Sequence, residues 1–151
     1  MASYRLVDSL ELIDFNMSLN AYKFLDLKEF MSFSQKEAEY SLLAEICCLI
    51  GLDDQNRVVY QQMKNRSKNP ESYFMIDPYD YLSFINQYSL LCVFHSHLIE
   101  DEKPSDFDIK TSENCCYPFL IYSVVTEKFH IYEPEYKDYD VNIINRLKEL
   151  I

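Results

Sequence analysis

The sequence predicts a single α/β domain in which helices and strands alternate along 151 residues. The length suits one domain. Hydrophobic residues make up 48% of the chain, which is ordinary for a globular protein with one core. Short apolar runs typical of buried strands alternate with capped or amphipathic segments typical of helices. No repeat, low-complexity tract or linker divides the chain.

The first 34 residues have the least regular pattern. Tyr4 to Asp14 alternates loosely between apolar and polar residues, and Leu25 to Phe33 is compatible with a helix. We therefore treat residues 1–34 as an N-terminal extension packed on a domain that spans residues 35–151. The extension either contacts a partner or simply adds a strand and a helix to the fold.

The pattern becomes regular from residue 35 onward. A stretch rich in Glu, Ala and Lys predicts a helix, and the turn at Asp53–Asn56 separates two strands. Asp77 as N-cap and Pro78 at the first helical position predict the start of another helix. The predicted elements are, in order, a helix at 35–44, strands at 46–52, 57–63 and 73–76, a helix at 78–86, a strand at 90–97, a helix at 105–113, a hairpin of strands at 119–125 and 128–132, and a helix at 141–151.

The most informative stretch of the chain joins two histidines to a carboxylate. Leu90–Phe94 is apolar and predicts a buried strand that leads into His95 and His97. Side chains two residues apart on a strand share a face, so both imidazoles are expected to point to one place. Ser105 and Asp108 follow shortly after. Two histidines and a carboxylate, with a fourth position left to water, are the ligand set of a catalytic zinc site.

Each part of this pattern also has an ordinary structural explanation. His-x-His pairs occur by chance on surface strands, and Ser105 with Asp108 fits a capping box at a helix start. We expect the capping box to form and to hold Asp108 rigidly in the first helical turn. The chain has only 3 histidines, and two of them lie in the motif, so the joint pattern favours a metal site. His130 has no ligand spacing and is assigned a structural role.

Glu45 is the candidate general base. A metal-dependent hydrolase needs a group outside the ligand set to take a proton from water. Glu45 lies where the predicted helix gives way to an apolar strand, and a carboxylate in so apolar a run is rarely there for solubility. The alternative is a charge at a helix end.

Together, Glu45, His95-Ser96-His97, Ser105 and Asp108 resemble the complete signature of the JAMM metalloproteases, whose domain is also called JAB or MPN-plus. The resemblance runs from about residue 35 to residue 134. It implies a single-domain JAB/MPN fold, a curved mixed β-sheet flanked by helices and related to the cytidine deaminases. It assigns one zinc ion per chain to His95, His97 and Asp108, the general base to Glu45, and stabilisation of the oxyanion to Ser105.

The connecting segments resemble the bacterial and phage branch of this family most closely. They include Asn65, Lys68-Asn69-Pro70 and the segments at 74–81 and 120–123. The branch contains stand-alone peptidases of bacterial ubiquitin-like conjugation operons and the JAB domain of lambda-type tail-assembly proteins. Leu98 and Cys48 depart from the usual proline and glycine of the family, which affects the geometry of the substrate loops and leaves the ligands intact.

The resemblance implies a zinc-dependent, deubiquitinase-like (iso)peptidase that cleaves after the C-terminus of a ubiquitin-like protein. The enzyme would deconjugate or process that protein in a bacterial antiviral conjugation system. Its partners would be the ubiquitin-like protein and its conjugates, together with E1-like and E2-like proteins of the same operon. Two alternatives stay open, a peptidase of phage tail assembly and a non-catalytic MPN scaffold module.

Charge and cysteine usage restrict the partners and the compartment. Lys and Arg number 14 against 25 Asp and Glu, for a net charge of −11. Such a surface repels phosphate, so we expect neither nucleic acid nor a membrane as partner. No apolar run approaches the roughly 20 residues of a membrane span, and the first residues lack a signal-peptide pattern. The 5 cysteines, without a C-x-x-C motif, indicate reduced thiols. We therefore expect a cytoplasmic protein.

Overall fold

The computed structural model describes residues 21–151. This part of the chain forms one α/β domain with six strands and four helices, so the predicted single α/β domain is confirmed. The strands are β1 (Ala21–Phe24), β2 (Cys47–Leu52), β3 (Val58–Met63), β4 (Ser89–His97), β5 (Phe119–Ser123) and β6 (Lys128–Tyr132). The helices are α1 (Leu27–Tyr40), α2 (Pro78–Ile85), α3 (Asp106–Cys115) and α4 (Val141–Lys148). The pattern noted at Tyr4–Asp14 lies outside the described residues.

The strands form one mixed sheet in the order β1-β3-β2-β4-β5-β6. Neighbouring strands are antiparallel except β4 and β5, which run parallel. Parallel strands need a crossover connection, and α3 lies in the connection between β4 and β5. Helix α3 is the first helix after β4, and Asp108 in its first turn contacts His97 at the carboxyl end of that strand.

Two hydrophobic clusters cover the two faces of the sheet. In one cluster, Phe94 of β4 packs with Phe30 of α1 and Ile144 of α4. In the other, Val93 packs with Phe84 of α2. The alternation follows from the strand period of two. The odd-numbered residues of β4 that follow Val93 continue on the α2 side, and these are the two predicted metal ligands.

Helix α1 begins and ends earlier than the helix predicted at 35–44. It begins after the N-cap Asp26, whose side chain accepts a hydrogen bond from the backbone of the second helical residue, and it ends before Ser41. The helix predicted over 41–44 is wrong. The Ser41 hydroxyl instead donates to the Ala44 carbonyl at 2.7 Å, which closes a turn before β2.

The predicted division at residue 34 falls inside α1. Strand β1 pairs with β3 along its whole length, and Phe30 is fully buried. The described part of the segment 1–34 therefore contributes one strand and most of one helix to the sheet and its core.

The segment Tyr73–Ile76 is not a strand, so this prediction is wrong. Its backbone groups bond to a loop instead of to a strand. The Met75 carbonyl accepts from the Arg66 N–H at 2.8 Å, and the Met75 N–H donates to Oδ1 of Asn65 at 3.2 Å. The residues of this segment have a high strand propensity, but the backbone of Met75 pairs with the side chain of Asn65 instead of with a strand. Propensity alone does not predict such a contact.

The other predicted elements are confirmed, with small differences at their ends. Asp77 caps α2 with Pro78 at its start, and Glu127, with φ 59°, closes the β5–β6 hairpin. The five cysteines all lie in the described part and are free. Among residues 21–151, no helix has the length and apolar character needed to cross a membrane.

Gly51 is expected to tolerate no side chain. It is the one glycine of the sequence and lies where the pairing of β2 with β4 shifts. A Cβ there would lie 2.8 Å from the Ser89 carbonyl oxygen and 2.9 Å from the Phe84 ring. We expect Gly51→Ala to lower the free energy of unfolding by about 1–3 kcal/mol, because the clash outweighs the gain of about 0.4–1 kcal/mol from a stiffer unfolded chain. Urea denaturation measures this, and an unchanged midpoint would contradict it.

Candidate metal centre

The end of β4 and the first turn of α3 bring three ligand-type side chains together. One ligand atom from each of His95, His97 and Asp108 lies within 4.8 Å of the others. The three residues are 0%, 2% and 3% exposed. Buried groups of this kind are rarely left without a partner. This group could hold a metal ion.

Asp108 lies between the two imidazoles and presents one carboxylate oxygen to each. Its Oδ2 lies 3.0 Å from Nε2 of His97, and its Oδ1 lies 3.2 Å from Nε2 of His95. Both histidines therefore direct the same ring nitrogen to one place. Imidazole nitrogen and carboxylate oxygen are ligands shared by several divalent transition metals.

A backbone carbonyl determines how His97 presents its second nitrogen. Nδ1 of His97 lies 2.6 Å from the carbonyl oxygen of Asp101. A carbonyl can only accept, so Nδ1 carries a proton, and in the neutral ring Nε2 turns a lone pair toward the Asp108 oxygen. Two facing lone pairs require a proton or a cation between them. Ligating histidines commonly donate their other N–H in this way, so the contact fits a metal site.

His95 fits a metal for a different reason. In the part of the chain that the structure describes, neither of its ring nitrogens makes a well-aligned hydrogen bond, and Nε2 has only the contact of 3.2 Å with Oδ1 of Asp108. The ring packs on Phe74, with centroids 4.6 Å apart, and lies at 78° to the ring of Phe119. An unpaired buried polar atom costs about 1–3 kcal/mol. A metal at Nε2 would satisfy one of the two nitrogens.

The charges at the site favour a cation. Burial lowers the pKa of His95 and keeps its imidazole neutral, which is the form that binds metals. Burial acts on His97 in the same direction, but hydrogen bonds to Asp108 and to the Asp101 carbonyl outweigh it and raise the pKa of His97 to about 9. Burial acts to raise the pKa of Asp108, yet the ring nitrogens of His95 and His97 beside its two oxygens hold that pKa well below its usual value. The ionised carboxylate therefore faces either a proton on His97 or a metal that replaces it.

Ser105 caps α3 and orients Asp108. Its Oγ accepts from the Asp108 N–H at 3.1 Å, and its own N–H donates to Oδ2 of Asp108 at 3.0 Å. The predicted capping box is therefore confirmed. Because Oγ serves the cap as an acceptor, its O–H stays available as a donor beside the carboxylate.

We expect Ser105→Ala to lower the free energy of unfolding by about 1 kcal/mol, because the Asp108 N–H loses its acceptor. Ser105→Thr keeps a capping hydroxyl and is the matched control. Urea denaturation of both variants and the wild type measures the difference. Equal stability of Ser105→Ala and the wild type would contradict the capping role.

Glu45 lies beside this group, just before β2. Strands β2 and β4 are antiparallel with Cys47 opposite His95, so the same register continued by two residues sets Glu45 opposite His97. The backbone pairing extends to Ile46, because the Ser96 N–H donates to the Ile46 carbonyl at 3.2 Å. The Ile46 N–H donates to Oγ of Ser96 at 3.0 Å.

The carboxyl group of Glu45 lies in a buried environment beside charged groups. The residue is 6% exposed. Burial raises the pKa of Glu45 to about 8, while the imidazole of His97 acts to lower it and the carboxylate of Asp108 acts to raise it. The structure therefore brings together all five predicted site residues, which are Glu45, His95, His97, Ser105 and Asp108.

Comparison with known proteins bears on the fold. No protein-family model and no curated protein matches this chain. Among solved structures, the solution structure of protein DSY2949 from Desulfitobacterium hafniense is similar, with a TM-score of 0.53 and 24% sequence identity over 76% of this chain and 93% of that one. The two chains share a fold. The likeness says nothing about activity.

Sequence analysis missed three contributors to the site. The Asp101 carbonyl positions His97, but a backbone contact leaves no signal in the identity of the residue. Phe74 packs on His95 across a large sequence separation. In the sequence, Asn65 stands out only as part of a connecting segment, although its side chain bonds to the carbonyl of Glu45 at 3.0 Å.

Proposed function

We propose that this chain is a JAMM-type zinc (iso)peptidase that cleaves after the C-terminus of a ubiquitin-like protein. The observation that carries the proposal is the convergence of His95, His97 and Asp108 at the end of β4. Glu45 is buried beside them, and Ser105 caps the helix of Asp108. The mixed sheet with helices on both faces supports a JAB/MPN domain related to the cytidine deaminases.

We infer zinc as the ion, one per chain. His95, His97 and Asp108 would hold it, and this ligand set with one open position is typical of catalytic zinc. When bound, zinc supplies Lewis acidity and lowers the pKa of water toward about 7. The two histidines and the carboxylate contribute their positions, which the Asp101 carbonyl and the Ser105 cap hold in place.

Glu45 and Ser105 perform the proton transfer and the charge stabilisation. Glu45 takes a proton from the attacking water and passes it to the leaving amine. A group that both accepts and returns a proton works best with a pKa near the working pH, and burial raises the pKa of Glu45 to about 8. The Ser105 hydroxyl donates a hydrogen bond to the oxygen that gains negative charge.

Exposed apolar side chains next to the candidate site residues in the chain support a polypeptide substrate. Leu42 and Leu43 lie exposed just before the candidate base, and Ile99 and Phe107 lie exposed beside candidate ligands. Exposed apolar residues at a site are typical of surfaces that bind proteins. The resemblance to the JAMM family supplies the partner class, namely a ubiquitin-like protein with E1-like and E2-like proteins in a cytoplasmic bacterial antiviral system.

Cleavage of defined substrates tests this function. The probes are bacterial ubiquitin-like proteins, each joined through its C-terminus to a reporter peptide by a linear bond or by a lysine isopeptide bond. We expect a cut directly after the last residue of the ubiquitin-like protein, loss of cutting after chelation and recovery with added zinc. No cutting of any probe by the zinc-loaded protein would overturn the proposal and favour a scaffold.

A further inference from the structure

We propose that Asn65 is a positioning residue that holds the Glu45 peptide and the aromatic wall behind His95 in one arrangement. Its catalytic consequence rests on the proposed function. Its hydrogen bonds do not, because they belong to the fold itself.

The amide nitrogen of Asn65 bonds in two directions. Nδ2 donates to the carbonyl of Glu45 at 3.0 Å and to the carbonyl of Tyr73 at 2.9 Å, and it lies 3.4 Å from the carbonyl of Pro70. These carbonyls come from segments that are far apart in the chain. One side chain therefore connects Glu45, two residues before β2, to the loop 65–76.

The amide oxygen of Asn65 organises the same loop. Oδ1 accepts from the Ser67 N–H at 3.0 Å and from the Met75 N–H at 3.2 Å. Asn65 thus binds the residue before Phe74 through its nitrogen and the residue after Phe74 through its oxygen. Phe74 packs its ring on His95, with centroids 4.6 Å apart, so Asn65 fixes both backbone neighbours of this ring.

Both polar groups of the Glu45 backbone depend on this loop. The Glu45 N–H donates to the Pro70 carbonyl at 2.7 Å, and the Glu45 carbonyl accepts from Asn65. Strand β2 begins only at Cys47, so Glu45 itself lies outside the strand ladder. The loop, and Asn65 within it, sets the place of the candidate base.

Only an amide of this length can make both sets of bonds, because it offers donors and an acceptor from one rigid group. Aspartate at this position keeps the acceptor and loses the donors. Alanine loses both. Small displacements of a catalytic group reduce the rate strongly, so the loss of Asn65 is expected to act on Glu45.

Hydrogen exchange tests the positioning without any assay of activity. We compare the wild type with Asn65→Asp and Asn65→Ala. The matched control is Asn69→Asp in the same loop, because the Asn69 side chain makes no hydrogen bond to residues 21–151 in the structure. We expect the Glu45 amide to exchange at least about 10-fold faster in both Asn65 variants, as local opening becomes easier, and at the wild-type rate in the control.

Two results would overturn the proposal. One is an unchanged Glu45 exchange rate in the Asn65 variants. The other is an equal acceleration of the amides of β4, because that would mean a loss of global stability instead of local positioning.

Kinetics test the catalytic consequence on the same probes. We expect Asn65→Asp to lower kcat by about 10–100-fold, as supporting residues at metal sites do, with KM and zinc content unchanged. In a Glu45→Gln background, Asn65→Asp should lower the rate no further, because no base is left to position. Additive losses would overturn the proposal. A wild type without any cleavage would overturn the proposed function, while hydrogen exchange would still decide the role of Asn65.

Discussion

Replacing His97 by alanine is expected to abolish the binding of one zinc ion per chain. His97 supplies Nε2 to the group, and its other nitrogen is held by the Asp101 carbonyl at 2.6 Å. Without the imidazole, Asp108 and His95 remain as two ligands, and a catalytic zinc site needs three protein ligands. The loss should therefore be nearly complete.

Elemental analysis of the purified protein measures this binding, after loading with one equivalent of zinc and gel filtration. We expect about one zinc per chain in the wild type and none in His97→Ala. His130→Ala is the matched control, because His130 lies on β6 opposite Ile121 of β5, outside the three-residue group. The control should retain zinc as the wild type does.

Zinc should also stabilise the wild type and the control and leave His97→Ala unaffected. A ligand present at about 100 times its Kd adds about 2.7 kcal/mol to the free energy of unfolding, and a thermal melt with and without zinc detects a change of that size. A folded wild type that binds no zinc and gains no stability from it would contradict the metal site. The same result would favour a scaffold without a metal.

Glu45→Gln is expected to remove hydrolysis while zinc binding is retained. Glutamine has nearly the shape of glutamate but cannot take up a proton, so the rate should fall by about 10²–10⁴-fold. Zinc content should stay at one per chain because Glu45 lies outside the ligand group. Cleavage of the reporter fusions by wild type and variant under identical conditions measures the effect.

The same substitution should not lower stability. Burial raises the pKa of Glu45 to about 8 from an ordinary value of 4.5. In this pH interval the folded protein binds more protons than the unfolded chain. The ionisation of Glu45 therefore lowers the free energy of unfolding as pH rises from 4.5 to 8. Chelated Glu45→Gln should therefore be at least as stable as the chelated wild type at pH 8, by urea denaturation.

The combination of results separates a hydrolase from a scaffold. A hydrolase loses turnover in Glu45→Gln and keeps its fold and its zinc. If the variant cleaved the fusions as fast as the wild type, Glu45 would not be the base. Glu37→Gln, a carboxylate on α1 whose pKa is also raised by burial, is the control and should keep full activity.

The sequence by itself was sufficient for the α/β class and for the local placement of the candidate site residues. His95 and His97 share a face because of the strand period, and Ser105 with Asp108 carries a local capping signal, so both depend on neighbours within a few residues. The same holds for the start of α2 at Pro78. Local chemistry of this kind can be predicted before any tertiary contact is known.

Only the tertiary structure decided what surrounds those residues. The segment 73–76, predicted as a strand, is a loop because Asn65 bonds to the backbone of Met75. Helix α1 is one continuous helix because Phe30 is buried against the sheet. The contact of His97 with the Asp101 carbonyl and that of Glu45 with Asn65 involve backbone atoms. Every residue carries the same backbone groups, so its identity does not reveal which ones the fold will bring together.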